Sequence, residues 1–250
     1  QLDECIEQTR LLKEYQSEPS SAEAIEKIPM LSISDIRKEA LPIHNTEIFT
    51  DSSKILYHDY ETNGICYVKI LFDVNHISEE EVPVIGLLAE AIGYLDTDEH
   101  TYQELTDEIN LNTGGIVTST ELYDANDGGS YRSFFGIGGR FLSEKTDTAF
   151  KLMEEMLLRS RFDDEKRIKE VLGRVKSRLE MGFQNAGHQL AFSRCASYFD
   201  SSYRWKDLTA GIDFYRYICG ILNDENGCEK LLKDLQTGHL TGKHLKSTAV

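Results

Sequence analysis

The order of strand-like and helix-like segments limits this chain to few architectures. Residues 53–60 and 64–74 are rich in β-branched and aromatic side chains and flank the turn signal Glu61-Thr62-Asn63-Gly64. Helical patterns follow at 80–94 and 101–110, and strand patterns return at 115–123 and 130–141. We expect the first two strands to be adjacent and antiparallel. The order predicts an α+β fold, with an antiparallel sheet covered mainly on one face by long α-helices.

Only helical patterns occupy the chain between residues 143 and 235. Ser143 is placed to cap an amphipathic helix, and a longer helix begins near Asp163 and ends at about Gln184. Further helices are predicted at 188–199, 205–222 and 225–235, and the tail at 242–250 could begin a final strand. The apolar face of the helix after Ser143 is predicted to comprise Phe150, Leu152, Met153, Met156 and Leu157.

The first part of the chain has a different texture and predicts a separate region. Residues Leu2 to Pro29 form a predicted helical hairpin, in which Ile6, Leu11, Leu12 and Tyr15 recur among charged residues. An extended connector containing Pro42 follows. We place the boundary near Leu41, which gives a hairpin linker at 1–41 and an α+β domain at 42–250. The chain lacks a starting Met, so we expect a segment of a longer protein, truncated at its C-terminus.

Charge and cysteine content exclude several classes of protein. A formal charge of −16 disfavours nucleic-acid and anionic-membrane partners, because both require clustered Lys and Arg. No apolar run approaches the roughly 18 residues of a membrane helix. The cysteines are odd in number and form no CxxC pair, which favours reduced thiols in a bacterial cytoplasm or an organelle matrix. They are Cys5, Cys66, Cys195, Cys219 and Cys228, and we expect Cys195 and Cys219 to be buried.

Common catalytic and cofactor-binding motifs do not occur in the sequence. Neither HExxH nor HxxEH is present, and His239 and His244 are five residues apart, so solvent exposure is the favoured interpretation. The segment GHLTGK is one residue too short for a phosphate-binding loop. Gly136 to Gly139 lie within a strand pattern, which predicts a bulge or close backbone packing. We predict no catalytic, cofactor-binding or metal-binding residue in this chain.

Several segments in order carry a family resemblance. They are the hairpin, IPMLSISDI ahead of LP, the ββααββ order with TYQELTDEINLNTGG, FDDEKRIKEVLGRVKSRLE, and HQLAFSRCASYFDSSYRWKDLTAGIDFYRYI. Together they resemble the pitrilysin/insulinase superfamily of inverzincin zinc peptidases, particularly the presequence-protease branch. The resemblance covers essentially the whole chain. It implies four homologous domains in two halves that enclose a peptide chamber, the halves being joined by a helical hairpin. It also implies that only the first domain carries HxxEH.

The resemblance also implies where the zinc site of the family would fall. If the helices are aligned on Glu90, the two zinc-binding histidines are replaced by Leu87 and Ala91. The third ligand, a glutamate seven residues after another acid, is replaced by Ser177 when that acid is Glu170. We therefore expect Glu90 to be a helix-surface or interdomain carboxylate. The resemblance implies no cofactor in this segment and zinc in the catalytic domain of the parent protein.

These considerations predict the hairpin linker and the third, non-catalytic domain of a zinc metalloendopeptidase that degrades peptides. The expected partners are the N-terminal catalytic half and the C-terminal domain of the same polypeptide, and an unfolded peptide. The acidic surface could attract basic peptides or could only keep the protein solvated. A stand-alone binding or scaffold protein on the inactive fold is the alternative. The aromatic series, interpreted as core, is Tyr198, Phe199, Tyr203, Trp205, Phe214, Tyr215 and Tyr217.

Overall fold

The computed structural model describes residues 2–39, 42–50, 53–124 and 130–236. The chain divides into two compact units, Gln1–His44 and Asn45–Val250. The boundary predicted at Leu41, the histidines His239 and His244, the GHLTGK segment and the predicted strand at 242–250 lie outside the described residues. Among the residues described, no helix combines the length and the apolar character that crossing a membrane requires.

The first unit contains the two helices predicted between residues 2 and 29. Helix α1 spans Leu2–Ser17 and α2 spans Ala22–Glu26, and the Ser21 hydroxyl accepts a hydrogen bond from the Ala24 amide at the start of α2. A 3-10 turn at Ile33–Asp35 follows. The apolar residues of α1 are all exposed: Leu2, Ile6, Leu11, Leu12 and Tyr15.

The second unit contains two antiparallel sheets. Strands β1 (Thr46–Phe49) and β2 (Lys54–Tyr57) pair with each other. The larger sheet has the order β3-β5-β4, in which β3 spans Ile65–Asp73, β4 spans Ile116–Asp124 and β5 spans Tyr131–Leu142. All pairings in this sheet are antiparallel. The α+β class predicted from the sequence is therefore confirmed.

The predicted pairing of residues 53–60 with 64–74 is wrong. The turn between them does form, since Asn63 and Gly64 have φ values of 51° and 78° and the Ile65 amide donates to the Thr62 carbonyl. However, β2 pairs with β1, and β3 pairs along its whole length with β5. The reason is burial, because β3 can turn an apolar face toward the core whereas every residue of β2 is exposed.

One face of the larger sheet packs against helices α3 (Val82–Ala91) and α5 (Thr146–Leu158). Phe135, Ile137 and Phe141 of β5 alternate along the strand and are buried on this side. The opposite face leaves Tyr67 of β3 and Val117 of β4 exposed. The prediction of a sheet covered mainly on one face is thus confirmed for the described residues.

The glycines of β5 allow close backbone packing, as predicted. A Cβ atom on Gly139 would lie 2.8 Å from Met153 Cε and 3.0 Å from the Gly115 carbonyl oxygen. A Cβ atom on Gly138 would lie 3.0 Å from the Val68 carbonyl oxygen. These positions therefore exclude larger side chains for steric reasons, without any role in phosphate binding.

The remaining helices follow the predicted order. Helix α4 spans Tyr102–Asn112, and Thr101 and Glu104 form a capping box at its start. Helix α6 spans Glu165–Asn185, and the Asp164 carboxylate accepts from the Arg167 amide at its N-terminus. Four helices then complete the described chain: α7 (Gly187–Ala196), α8 (Ser201–Ala210), α9 (Ile212–Asn223) and α10 (Gly227–Gln236).

Two predictions about helix boundaries are wrong. The single helix predicted at 205–222 breaks at Gly211, because the Asp207 carboxylate accepts from the Ile212 amide and starts α9 there. Ser143 does not cap α5, since its hydroxyl donates to the Gly64 carbonyl and a 3-10 turn precedes α5. Phe150 is 41% exposed, although its ring contacts Phe141.

Some residues predicted to be core lie at the surface. Tyr198 and Phe199 are 70% and 88% exposed, because they lie in the turn between α7 and α8. Cys195 near the end of α7 is also exposed, and Cys219 is half-buried. Within the same aromatic series, Trp205 and Phe214 are buried as predicted.

A close contact between α3 and α8 yields a first testable prediction. A Cβ atom on Gly86 would lie 2.9 Å from the Thr209 carbonyl oxygen and 3.1 Å from Phe214 Cε2. Replacing Gly86 with alanine should therefore lower the free energy of unfolding by about 1–3 kcal/mol. Gly173 in α6 is the matched control, because a Cβ atom there meets nothing within 4 Å. Gly173→Ala should raise stability by up to about 1 kcal/mol. Urea unfolding measures both effects, and two stabilised variants would contradict the close α3–α8 packing.

Candidate functional site

Helix α3 carries one acid on an otherwise apolar sequence, and the fold explains this arrangement. Leu87 is fully buried and Ala91 is nearly so, because this side of α3 faces the core. Glu90 lies on the side that faces α6, where its side chain is 25% exposed. The two positions that the resemblance assigns to zinc-binding histidines are therefore core positions, and Glu90 lies at the helix surface.

Glu90 is neutralised by an arginine from α6. Its Oε1 atom accepts a hydrogen bond from Arg178 Nη2 at 2.5 Å, and its backbone carbonyl accepts from Arg174 Nη2 at 3.1 Å. Arg178 remains 59% exposed, so the pair is open to solvent on one side. Such a pair contributes at most about 1 kcal/mol to stability. Its main consequence is electrostatic, because it places a fixed cation on the carboxylate.

Arginines of α6 also satisfy the C-terminal end of α3. The Arg174 guanidinium stacks on the Tyr94 ring at 3.3 Å from its centroid. Arg167 Nε donates to the Tyr94 carbonyl at 2.6 Å, and its guanidinium stacks on Tyr102 of α4 at 3.5 Å. These contacts complement the partial negative charge at the end of α3. They hold α3, α4 and α6 in one arrangement around Glu90.

The residues at the expected zinc positions do not fit a zinc ion. Leu87 and Ala91 offer hydrocarbon, whereas zinc in proteins takes Cys, His, Asp or Glu ligands. Ser177 is exposed on α6, and Glu170 pairs with Arg167 at 3.0 Å. Glu90 alone would remain as a ligand, and Arg178 already occupies it. We therefore derive no metal-dependent step from these residues.

A cleft of about 400 Å³ lies beside Glu90. Its walls come from α3, from α4 and from the start of β4, where the Thr118 hydroxyl donates to the Ala89 carbonyl at 2.7 Å. Volumes of this size are typical of sites that accept part of a peptide or a small molecule. The polar lining residues include Glu90, Thr106, Asn110, Thr118 and Arg178.

A second polar cluster, at the loop before α4, was not predicted from the sequence. Glu155 of α5 is almost completely buried, and it accepts from the Thr97 hydroxyl and pairs with His100 Nδ1 at 2.9 Å. Among the described residues, Glu99, His100 and Glu155 place possible metal-ligating atoms within 4.8 Å of one another. However, the Glu155 carboxylate holds two loop residues and Glu99 pairs with Arg159. The cluster anchors the loop and does not present an open metal site.

The His100–Glu155 pair predicts a pH dependence of stability. Its hydrogen bond to Glu155 raises the pKa of His100 above the ordinary 6.5, against the opposing effect of burial. Neighbouring carboxylates of Glu104 and Glu108 add to the increase in pKa. A folded-state pKa above the unfolded value means that this stabilisation is complete below about pH 6.5 and is lost as pH rises through the folded pKa.

His100→Gln is the variant that tests this dependence. We expect the melting temperature of the native chain to fall more steeply than that of the variant between about pH 6 and about pH 9. His76 provides the matched control, because it lies at the surface of the same unit. His76→Gln should retain the native slope. Parallel curves for the native chain and His100→Gln would show that the pair does not stabilise the fold.

Comparisons with known proteins agree on one family. The family model for the peptidase-associated domain of subfamily C of the pitrilysin-type peptidases matches residues 1–221. Protein HypA of Clostridium perfringens is 34% identical over 228 residues, which cover 90% of this chain and 23% of that protein. The mitochondrial presequence protease of Saccharomyces cerevisiae is 30% identical over 83% of this chain and 20% of its own length. Presequence protease 1, chloroplastic/mitochondrial, of Arabidopsis thaliana is 25% identical over 87% and 20%. The chain spans about a fifth of the length of these relatives.

Proposed function

Because the chain belongs to this peptidase-associated family, in the presequence-protease branch of the pitrilysin/insulinase superfamily, we propose that it is a non-catalytic, substrate-enclosing domain of a zinc metalloendopeptidase that degrades peptides. The observation that carries the proposal is the state of Glu90. This carboxylate is held by Arg178, and the neighbouring zinc positions Leu87 and Ala91 belong to the hydrophobic core.

The chemistry of the family explains why this arrangement is inactive. A carboxylate acts as a general base in such enzymes because zinc lowers the pKa of a bound water and holds it nearby. Glu90 has a guanidinium in contact instead of a metal-bound water. Zinc would be supplied by the catalytic domain of the longer protein, and this chain would contribute a wall of the peptide chamber.

The surface around strand β4 supports a role in holding unfolded peptides. Within the described sheet β4 is an edge strand, and the start of β4 lines clefts of about 400 Å³ and 420 Å³. Edge strands offer backbone hydrogen bonds to an extended chain, and adjacent clefts accept its side chains. A folded protein cannot use such features, because its backbone groups are already paired.

The exposed residues of α1 support the proposed partners within the same polypeptide. Leu2, Ile6, Leu11, Leu12 and Tyr15 form an apolar surface of a kind that proteins normally cover. In the proposal, this helix packs between the N-terminal catalytic half and the rest of the protein, which includes the C-terminal domain. Relatives named as chloroplastic or mitochondrial support an organelle matrix as one compartment, and a bacterial cytoplasm is the other.

The net charge of −16 adds a preference for basic peptides to the proposal. Acidic surfaces raise the association rate of cationic ligands, and salt weakens this attraction. A mitochondrial targeting sequence is a basic, unfolded segment of this type. Peptide capture should therefore decrease as ionic strength increases.

Peptide binding by the 250-residue chain tests the proposal. A fluorescent, unstructured, Arg-containing peptide should bind saturably, remain intact, and bind more weakly when salt is raised from about 0.05 M to about 0.5 M. A small folded protein of equal net charge is the control and should not compete. Absence of peptide binding would contradict the proposal and favour the scaffold alternative. Binding that does not depend on salt would contradict the preference for basic peptides.

A further inference from the structure

A second cleft, of about 420 Å³, lies on the face of the larger sheet that helices leave uncovered. Gly138 of β5 forms its floor, and the register places Lys69 of β3 and Val117 of β4 on either side. Tyr67, opposite Arg140 in the register, forms another wall. Tyr67 and Val117 are 66% and 65% exposed, so apolar surface borders a bare glycine floor.

The rim of this cleft carries positive charge in a strongly acidic chain. Arg140 lies over the Gly114 turn, since a Cβ atom on Gly114 would lie 2.8 Å from Arg140 Nε. Among the described residues, no acceptor lies within hydrogen-bonding distance of its guanidinium. Lys145 borders the adjoining cleft of about 290 Å³, which Arg140 also lines. The local charge is therefore opposite to the net charge of the chain.

Other cations on the same face of the sheet are already neutralised. Arg132 pairs with Asp73 at 2.6 Å, and Lys69 pairs with Glu121 at 2.8 Å. Arg140 differs from both because, within the part of the chain that the structure describes, it presents an unpaired planar fork of donors next to apolar volume. A guanidinium binds a carboxylate through two parallel hydrogen bonds, which makes it selective for planar anions.

We infer that this cleft is a subsite for the C-terminal end of a peptide, with the α-carboxylate on Arg140 and the last side chain over Gly138 between Tyr67 and Val117. A C-terminal apolar residue is the ligand that joins a carboxylate directly to an apolar side chain. The inference rests on the proposed function, because cleavage by an endopeptidase creates peptides with a new α-carboxylate. The cleft would then retain an N-terminal product after cleavage.

Matched peptides test the inference on the 250-residue chain. A labelled basic peptide that ends in leucine is compared as the free acid and as the C-terminal amide. The free acid should bind about tenfold more tightly, as expected for a charge-assisted, bidentate contact. Arg140→Gln should remove this difference, and Tyr67→Ser should weaken binding of the leucine-ended acid more than that of a serine-ended acid. Both residues are exposed, so these variants should fold.

Arg132→Gln provides the matched control, because Arg132 lies on the same strand and face but pairs with Asp73. It should keep the preference for the free acid. Equal affinity for acid and amide in the native chain would overturn the inference while leaving the proposed function intact. An amidated peptide with an internal glutamate that binds as tightly as the free acid would also overturn it. Failure of every peptide to bind would contradict the proposed function, and the inference would fall with it.

Discussion

Replacing Asp207 with alanine is expected to lower the free energy of unfolding by about 3–5 kcal/mol, the largest effect of any single substitution considered. The Asp207 side chain is only 2% exposed. It accepts from Arg194 and from the Ile212 amide, and Arg204 lies 3.6 Å away. Alanine would leave the two arginines to share Asp213 and would remove the group that starts α9. Breaking a buried pair is costly because a desolvated charge remains.

The neighbouring acid Glu79 provides the control for this substitution. It also pairs with Arg204, at 2.8 Å, but it is 63% exposed. Glu79→Ala should therefore change the free energy of unfolding by less than about 1 kcal/mol. Urea unfolding followed by circular dichroism measures both variants. Equal small losses would show that the Arg194–Asp207–Arg204 cluster lies in a more solvated environment than the structure indicates.

Leu87→His should lower the free energy of unfolding by about 2–5 kcal/mol. The leucine is fully buried in the main hydrophobic core. Histidine would lose part of that packing and would bring a polar ring into an apolar site. The substitution restores a residue that catalytic members of the family use for zinc, so a pure alignment argument would predict gain of a ligand. The packing argument predicts loss of stability and no metal binding.

Glu90→Gln on the same helix is the matched control. Its carboxylate is partly exposed and its partner Arg178 is largely exposed, so the expected loss is below about 1 kcal/mol. Thermal unfolding with and without zinc distinguishes the two accounts. A Leu87→His variant that keeps native stability and melts at a higher temperature with zinc would contradict the assignment of Leu87 to the core.

The element order and the covered face of the sheet could be predicted because they depend on local patterns. Alternation in β3, β4 and β5 identifies a half-buried sheet, and the caps Thr101 and Asp164 mark the starts of helices. Strand pairing could not be predicted as reliably, because turn chemistry favours neighbours in sequence. Tertiary burial instead pairs β3 with β5. The break at Gly211 was missed because it depends on the Asp207 carboxylate, which looks like an ordinary polar residue in the sequence.

The candidate site was visible in part. A lone acid among apolar residues marked Glu90, but its partner Arg178 is 88 positions away and no local pattern joins them. The buried Glu155 had no sequence signal, because its burial follows from the loop that folds over α5. Arg140 lies in a strand whose alternation predicts an outward side chain. Its lack of an ionic partner among the described residues becomes visible only from the neighbouring strands.

The zinc content of the purified chain, measured together with peptide cleavage after exposure to zinc, tests the central proposal most directly. Because Leu87, Ala91 and Ser177 cannot replace the family's zinc ligands, we expect no stoichiometric zinc and no chelator-sensitive cleavage. Peptide binding should persist in the same sample. One tightly bound zinc per chain, with cleavage abolished by Glu90→Gln, would contradict the account and show that this chain is itself an enzyme.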